Sequence, residues 1–169
     1  MAILNILNEN KNINDLRKKS RPVDKINKRI TTLLDDMHET LKDANGIGLA
    51  APQVGVLKRV VIIELEETGL LEMINPEIIY SDGEQTELEG CLSSPEKFAE
   101  TVRPMTVKVK YTDRNGEIHE KEGTELLARA FCHELDHLEG ILCFDNAICI
   151  LSKEEVDEMN KENENETQE

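Results

Sequence analysis

Apolar residues recur every three or four positions between residues 23 and 45, which predicts a first helix that ends at Asn45-Gly46. Asp24 is the expected N-cap of this helix, because Asp side chains accept hydrogen bonds from the first backbone N–H groups. A second helix is predicted from about Thr124 to Leu138, and Gly140 provides its stop. The chain therefore contains at least two amphipathic helices separated by about 80 residues.

Shorter apolar runs between the two helices predict strands. Val60 to Ile63 is one such run, and Leu71 to Ile74 is another, which we expect Asn75-Pro76 to stop. Polar and apolar residues alternate from Met105 to Tyr111, and the turn at Asp113 to Gly116 predicts a hairpin. The pattern favours an α+β fold, a single compact domain with short, mostly antiparallel strands around a central second helix.

Composition and charge exclude several classes of function. The 169 residues include 20 Lys and Arg against 35 Asp and Glu, a net charge of −15 that repels phosphate backbones and argues against nucleic-acid binding. No run approaches the roughly 18 apolar residues of a membrane span, and the first residues do not resemble a secretory signal. We therefore expect a cytoplasmic protein whose four cysteines are reduced.

The second helix contains the strongest chemical signal, the HExxH sequence from His133 to His137. Residues four apart lie nearly in line on a helix, so both imidazoles can bind one metal. Glu134 lies about a quarter turn to the side, where its carboxylate can reach a water on the metal without binding the metal itself. Leu126 and Ala130 fall on the histidine face of the helix and are expected to border the substrate.

Two histidines leave a catalytic metal one protein ligand short, since the usual number is three. Cysteine, a third histidine or a carboxylate could supply it, and spacing alone does not decide among them. Cys91 is the best candidate because it lies between a glycine and a serine. Cys132 points away from the metal face, and Cys143 and Cys149 have apolar neighbours typical of core cysteines.

Three segments together resemble the signature motifs of the bacterial peptide deformylase family. They are GIGLAAPQ at 46–53, EGCLS at 89–93 and HELDH at 133–137. The resemblance implies that Cys91, His133 and His137 bind one divalent metal, with Fe²⁺ as the usual native ion and Zn²⁺, Ni²⁺ or Co²⁺ as alternatives. It also implies hydrolysis of the N-formyl group from the initiator methionine of nascent proteins, with release of formate.

The same resemblance assigns roles to further residues. Glu134 is the general base, and the Gln53 side chain and the Leu92 backbone N–H donate to the oxyanion. Gly46, Gly48 and Gly90 are expected to let an extended peptide approach the backbone closely, although ordinary turns explain these glycines equally well. Ile47, with the Leu126 and Ala130 identified above, is expected to form the pocket for the methionine side chain.

Three features depart from the family pattern. Cys132 precedes the first histidine where the family has Gln, and Ser94 replaces an apolar residue. Residues 153–169 carry two Lys against eight acidic residues, which makes ribosome docking through a basic C-terminal helix doubtful.

Arg103 can pair with Glu89 and hold the Cys91 loop, but an unrelated surface ion pair is an equal alternative.

The predicted organisation is a catalytic domain at residues 1–150, followed at 151–169 by an acidic helix and a frayed tail. Ser152 and Glu155 form the capping box that opens this short helix. The expected partners are N-formyl-methionyl nascent peptides, with transient proximity to the ribosome but no direct binding of nucleic acid and no membrane.

Two other functions remain open at this point. One is a zinc endopeptidase whose third ligand is Glu154, Glu155 or Glu158, and the other is a metal-binding module without catalysis. The endopeptidase leaves the segments at 46–53 and 89–93 unexplained, and the non-catalytic module leaves Glu134 unexplained.

Overall fold

The computed structural model of the chain describes residues 1–167. Within this range the helices are α1 (Glu9–Leu16), α2 (Lys28–Ala44), α3 (Leu126–Leu138) and α4 (Lys153–Thr167). The strands are β1 (Gly48–Ala50), β2 (Val60–Leu65), β3 (Gly69–Asp82), β4 (Gln85–Cys91), β5 (Ser94–Arg103), β6 (Thr106–Thr112), β7 (Ile118–Thr124) and β8 (Cys149–Ser152). Short 3-10 turns at Ala51–Val54 and Cys143–Asn146 complete the elements.

The strands form two antiparallel sheets. The larger sheet has the order β1-β2-β3-β6-β7, and the smaller has the order β4-β5-β8. Helix α3 contacts β1, β2, β6 and β7 of the larger sheet and β5 of the smaller one, so it lies between the two sheets. The predicted α+β fold with antiparallel strands is confirmed, and the HExxH residues occupy the second half of this central helix.

The core lies on both faces of the larger sheet. Val60 and Ile62 of β2 pack with α2, whereas Val61 and Ile63 pack with α3, because successive strand side chains point to opposite faces. The side of α3 away from the histidines is apolar and buried, and it consists of Leu127, Phe131, Leu135 and Leu138. This packing fixes the rotation of α3 and therefore the direction of its histidine side chains.

The start of α2 differs from the prediction. The helix begins at Lys28, and its N-cap is Asn27, whose side chain accepts from the Ile30 backbone N–H at 3.2 Å. Asp24 is therefore not the N-cap. The reason is a tertiary contact, since the Asn75 side chain bonds both the N–H and the C=O of Val23 and holds that segment outside the helix. The predicted stop at Asn45 is confirmed by its left-handed backbone, with φ at 54°.

The strand predicted at Leu71 to Ile74 does not stop at Asn75-Pro76. Strand β3 continues to Asp82 and pairs with both β2 and β6. The register with β6 shifts between Ile74 and Glu77, and Asn75 has a positive φ of 51°. A proline lacks the N–H that a ladder needs, and this irregularity accommodates it.

The remaining predicted elements are present. The β6–β7 hairpin is confirmed, and α3 ends before Gly140, which has a φ of 73°. Ser152 and Glu155 exchange the two hydrogen bonds of a capping box, at 3.1 and 3.3 Å. Helix α4 is longer than the short helix expected. The fraying predicted for the last residues stays a prediction, and residues 168–169 lie outside the described part of the chain.

No helix within residues 1–167 combines the length and the apolar character that crossing a membrane requires.

Candidate active site

Helix α3 and the end of β4 bring three metal-ligating side chains together. His133 and His137 lie one turn apart on α3 with ring centroids at 5.0 Å, and both are buried. Cys91 ends β4, and its Sγ lies 3.5 Å from Nε2 of His137. One donor atom from each of these residues lies within 4.8 Å of the other two. The trio predicted as metal ligands is therefore assembled in space.

The donor set fits a divalent transition metal. One sulfur and two imidazole nitrogens are ligands that such ions prefer, and three protein ligands leave a position for water or substrate. Oε2 of Glu134 is buried beside them without a hydrogen-bond partner among residues 1–167. A buried polar atom without a partner is costly, and a water held beside the three ligands would satisfy it.

A buried network fixes the orientation of His133. Its Nδ1 lies 2.9 Å from Oε1 of Glu89, which leaves Nε2 free for the metal. Arg103 binds both carboxylate oxygens of Glu89, at 3.1 and 2.6 Å, and binds Asp136 at 2.7 Å. Thr101 also donates to Glu89. The Arg103 and Glu89 side chains are only 11% and 7% exposed, so this is a buried network rather than a surface ion pair.

The charged groups of this network shift one another's pKa values. Burial alone would raise the pKa of Glu89, but hydrogen bonds from His133 and Arg103 outweigh it and hold the pKa far below its usual range. The Arg103 pKa is raised because contacts with Glu89 and Asp136 outweigh its own burial. Glu89 is therefore an anion that accepts a hydrogen bond from Nδ1–H of His133.

Glu134 differs from Glu89 because, among residues 1–167, no arginine or lysine pairs with it. Burial raises its pKa to about 7, and the nearby His133 opposes this only in part. Its Oε1 lies 3.8 Å from Nε2 of His133. Gly48 of β1 approaches this carboxylate closely, since a Cβ at that position would lie 3.0 Å from Oε1. The glycine therefore allows β1 to border Glu134.

The amide of Gln53 is buried and held in one orientation. Its Oε1 accepts from the Ala50 backbone N–H at 3.0 Å, and its Nε2 donates to Ser93 Oγ at 3.1 Å. The same Nε2 lies 3.6 Å from Cys91 Sγ. The side-chain N–H groups of Gln53 thus face the metal-ligand group, and Leu92 lines the adjacent cavity.

A cavity of about 600 Å³ opens above these residues. All six residues predicted to bind substrate line it, namely Gly46, Ile47, Gly48, Gly90, Leu126 and Ala130. Ile47 and Leu126 are each 42% exposed and present apolar surface to this cavity. Edge strand β1 supplies one wall, and edge strand β4 supplies the other.

Sequence reasoning missed several residues of this cavity. Phe98, Lys97 and Lys153 line it because β5 pairs with β4 and α4 packs against β5, which no local pattern revealed. Arg129 also lines it and lies four residues before His133 on α3. The helical spacing that selected Leu126 and Ala130 could have identified Arg129 as well.

The other cysteines lie outside the metal-ligand trio. Cys143 is buried beside Cys91 and near Glu89 and His133, and burial raises the pKa of its thiol, which stays protonated. Burial raises the pKa of Cys132 to about 11, as befits the packed thiol that was predicted. Cys149 was expected in the core but is exposed, because β8 is an edge strand.

The carboxylates of the endopeptidase alternative are not near the histidines. Glu154, Glu155 and Glu158 are exposed on α4, and within residues 1–167 the metal-ligand group that contains both His133 and His137 has Cys91 as its third member. The structure therefore does not favour that alternative.

Comparison with known proteins agrees with this geometry. The sequence model of the family described as polypeptide deformylase matches residues 3–153. A peptide deformylase from Caldanaerobacter subterraneus subsp. tengcongensis is 56% identical over 142 residues, which cover 84% of this chain and 89% of that protein. One from Finegoldia magna is 49% identical over 164 residues, covering 96% of this chain and 99% of that protein.

Solved structures give the same result. The peptide deformylase of Thermotoga maritima has a TM-score of 0.83 and 37% identity, and the match covers 88% of this chain and all of that one. The peptide deformylase of Synechococcus elongatus, solved in complex with actinonin, has a TM-score of 0.81 and 35% identity over 92% of this chain and 82% of that one. The fold, the arrangement of the buried site and the sequence agree, and the chain belongs to the polypeptide deformylase family.

Proposed function

We propose that this chain hydrolyses the N-formyl group from the N-terminal methionine of nascent proteins and releases formate. The observation that carries the proposal is the buried Glu134 carboxylate beside Cys91, His133 and His137, at the floor of a cavity between two sheet edges. A non-catalytic metal site has no need of a carboxylate in this position.

Each residue of the site has its own role in the hydrolysis. Cys91, His133 and His137 would hold a divalent metal, which when bound acidifies a water and polarises the formyl carbonyl. Glu134 accepts a proton from that water and later donates it to the leaving amine. Its raised pKa of about 7 suits a group that must both take and give a proton near neutral pH. The oriented Gln53 amide and the Leu92 backbone N–H are the proposed donors to the oxyanion.

The two edge strands suggest how the peptide binds. Strand β1 ends the larger sheet and β4 ends the smaller one, and both border the cavity. An extended peptide can add its backbone hydrogen bonds to such edges, with Gly46, Gly48 and Gly90 leaving room for the backbone. The methionine side chain then enters between Ile47, Leu126 and Ala130.

We propose Fe²⁺ as the native metal, as the resemblance to the family implies. Zn²⁺, Ni²⁺ or Co²⁺ could replace it, because thiolate and imidazole ligands suit all four ions. A cytoplasmic location follows from a substrate that is a nascent chain. The net charge of −15 argues against direct binding of ribosomal RNA, so any proximity to the ribosome would be transient.

The direct test is formate release from a short N-formyl-methionyl peptide. The protein is purified without oxygen, and its metal content is measured on the same sample. We expect turnover with about one metal per chain and loss of turnover on chelation. A full complement of metal without turnover would contradict the proposal and favour a non-catalytic metal site.

Replacing cysteines tests the ligand set with a matched control. Cys91→Ala should abolish metal binding, whereas Cys143→Ala changes a neighbouring buried thiol and should leave the metal content unchanged. Metal analysis of both variants decides between them. Retention of the metal by Cys91→Ala would mean that another residue is the third ligand, as the endopeptidase alternative requires.

A further inference from the structure

Arg129 is half-buried in the cavity, and among residues 1–167 it forms no ion pair with a carboxylate, whereas the other arginines without such a pair, Arg21 and Arg29, are exposed. Four arginines form ion pairs, namely Arg17 with Asp145, Arg59 with Glu139, Arg103 with Glu89 and Arg114 with Glu72. Arg129 lines the cavity, and its Nη1 donates to the Leu88 backbone C=O at 2.8 Å. Within residues 1–167 its buried Nε has no hydrogen-bond partner. In a chain with 35 acidic residues, an arginine without an acidic partner in the cavity points to an acidic ligand.

The charges around the cavity agree with an anionic ligand. Lys97 and Lys153 also line it, so three cations border a cavity in a molecule of net charge −15. The acidic residues in the lining are Glu89 and Glu134, both buried. Glu89 is paired with Arg103 at 2.6 Å, and Oε1 of Glu134 lies 3.8 Å from Nε2 of His133. Lys97 already binds Glu9, which leaves Arg129 as the partly buried cation with unused donors.

The register of the smaller sheet places Arg129 on the path of the peptide. Glu100 of β5 accepts from Ile148 N–H at 2.8 Å, so its peptide groups face β8 and not β4. Leu88 lies opposite Glu100, and its C=O therefore points away from β5, where Arg129 binds it. Gly90 is two residues further along β4 and directs its peptide groups to the same outer edge.

In the binding mode proposed above, a peptide whose formyl group lies at Cys91 and Glu134 would run along this edge past Gly90. Two residues further on, after about 6.6 to 6.8 Å, it reaches the position of Leu88. Arg129 covers the Leu88 carbonyl there and takes the place of the next backbone partner. The third or fourth residue of the peptide therefore passes the guanidinium group.

We propose that Arg129 is a specificity-determining residue that binds the carboxylate of an Asp or Glu at the third or fourth position of the formylated peptide. The inference rests on the proposed deformylase function and names a preferred class of substrate. The Leu88 carbonyl anchors one arm of the guanidinium, and the remaining N–H groups can bind a carboxylate in the bidentate manner that arginine favours.

The test compares formyl-Met-Ala peptides that carry Glu, Gln or Lys at position three or four. We expect kcat/KM for the Glu peptide to exceed that for the Gln peptide by about tenfold at one of these positions, with Lys poorest, as a partly buried charged hydrogen bond would give. The Arg129→Gln variant should bring the ratio of Glu to Gln close to one. Arg129→Lys keeps the charge without the planar group and should retain part of the preference.

Lys110→Gln is the matched control, because it removes one positive charge from an exposed position on β6 away from the cavity. It should keep the full ratio of Glu to Gln. Metal content and thermal melting of each variant are measured beside the kinetics. If Arg129→Gln does not fold, the wild-type ratio is measured at low and high salt, where an ionic contact predicts that the ratio falls.

Equal kcat/KM for Glu and Gln in the wild-type protein would overturn the inference. A preference that persists in Arg129→Gln, or a wild-type ratio unaffected by salt, would overturn it too. In each of these cases formate release from the neutral peptide still supports the deformylase function. Absence of formate from every peptide in a metal-loaded sample would instead contradict that function.

Discussion

At the scale of single residues, the two buried glutamates of the site show how surroundings separate the roles of identical side chains. Glu89 lies against Arg103 and His133 and stays ionised, so it can only accept a hydrogen bond. Glu134 is buried, with no arginine or lysine paired with it in the described part of the chain, and its pKa rises to about 7. The first residue therefore orients a metal ligand, and the second is suited to proton transfer.

Glu134→Gln should abolish turnover and spare the metal. The amide keeps the size of the side chain but cannot accept a proton, so we expect formate release to fall by about 10²- to 10⁴-fold. Metal content should stay near one per chain, because the three ligands are unchanged. Glu117→Gln makes the same change at an exposed position and should have no effect. Turnover that survives in Glu134→Gln would contradict the assigned role.

Glu125, just before α3, has a backbone conformation that is unusual for a residue other than glycine, with φ at 55° and ψ at −120°. Its N–H donates to Met105 O at 3.0 Å, and its C=O accepts from Gln85 Nε2 at 2.8 Å, so tertiary contacts hold it there. Only glycine adopts such angles without strain. Glu125→Gly should therefore raise the free energy of unfolding by about 1 kcal/mol.

Urea unfolding measures this effect, and Glu122→Gly provides the comparison. Glu122 is exposed on the extended strand β7, where a glycine should lower stability by roughly 0.5 to 1 kcal/mol. A lower unfolding midpoint for Glu125→Gly than for the wild-type protein would mean that the backbone at this position is not strained.

At the scale of elements, local patterns predicted those parts of the fold whose contacts are also local. Helix α3 and the β6–β7 hairpin carry their periodicity and turn residues within the segment itself. Strand β3 was cut short because Asn75-Pro76 resembles a stop, and only pairing with β6 carries it onward. Helix α1 and strands β4 and β5 escaped prediction because most of their residues are polar, and β8 escaped it because it has only four residues.

Prediction of the site was likewise limited to residues whose arrangement depends on local structure. Helical spacing alone predicted both histidines, Glu134, Leu126 and Ala130 as site residues, because all of them lie on α3. Cys91 could not be chosen by spacing, since it meets the histidines only through the packing of β4 against α3. The resemblance to a known family identified Cys91 as the third ligand, which spacing along the chain could not do. The Glu89–Arg103 pair was foreseen, but its burial was not.

The predicted end of the catalytic domain at residue 150 can be tested on the C-terminal elements. The predicted division at residue 150 falls within β8, whose Ile150 to Ser152 pair with Ala99 to Lys97 of β5. Val156 of α4 is buried, whereas residues 157–166 are exposed. A chain ending at residue 150 should therefore lose about 1.5 to 3 kcal/mol for Val156 alone, in addition to the lost strand pairing.

Urea unfolding of two truncated chains measures this loss. The chain of residues 1–150 should unfold at a lower urea concentration than the full chain, whereas residues 1–160 should stay close to the full chain because residues 161–166 are exposed. Equal stability of residues 1–150 and the full chain would instead support a catalytic domain that ends at residue 150.

At the scale of the whole molecule, the net charge of −15 dominates the electrostatics. Uncompensated like charges repel each other more strongly in the compact state than in the unfolded chain. Added salt shortens the range of this repulsion, from about 30 Å at 0.01 M to about 10 Å at 0.1 M. Salt also weakens exposed ion pairs such as Arg114 with Asp35, but each of these contributes only about 0.2 to 1 kcal/mol.

The protein should therefore melt at a higher temperature in 0.2 M NaCl than in 0.01 M NaCl, by a few degrees, or on the order of 1 kcal/mol. The chain of residues 1–160 lacks one Lys and four Glu of the tail, so its net charge is smaller and its gain from salt should be smaller too. Scanning calorimetry of both chains in NaCl and in KCl measures the shift, and equal shifts in the two salts exclude binding of a particular cation. A melting temperature that falls with salt would mean that ion pairs, rather than net repulsion, govern the stability of this acidic protein.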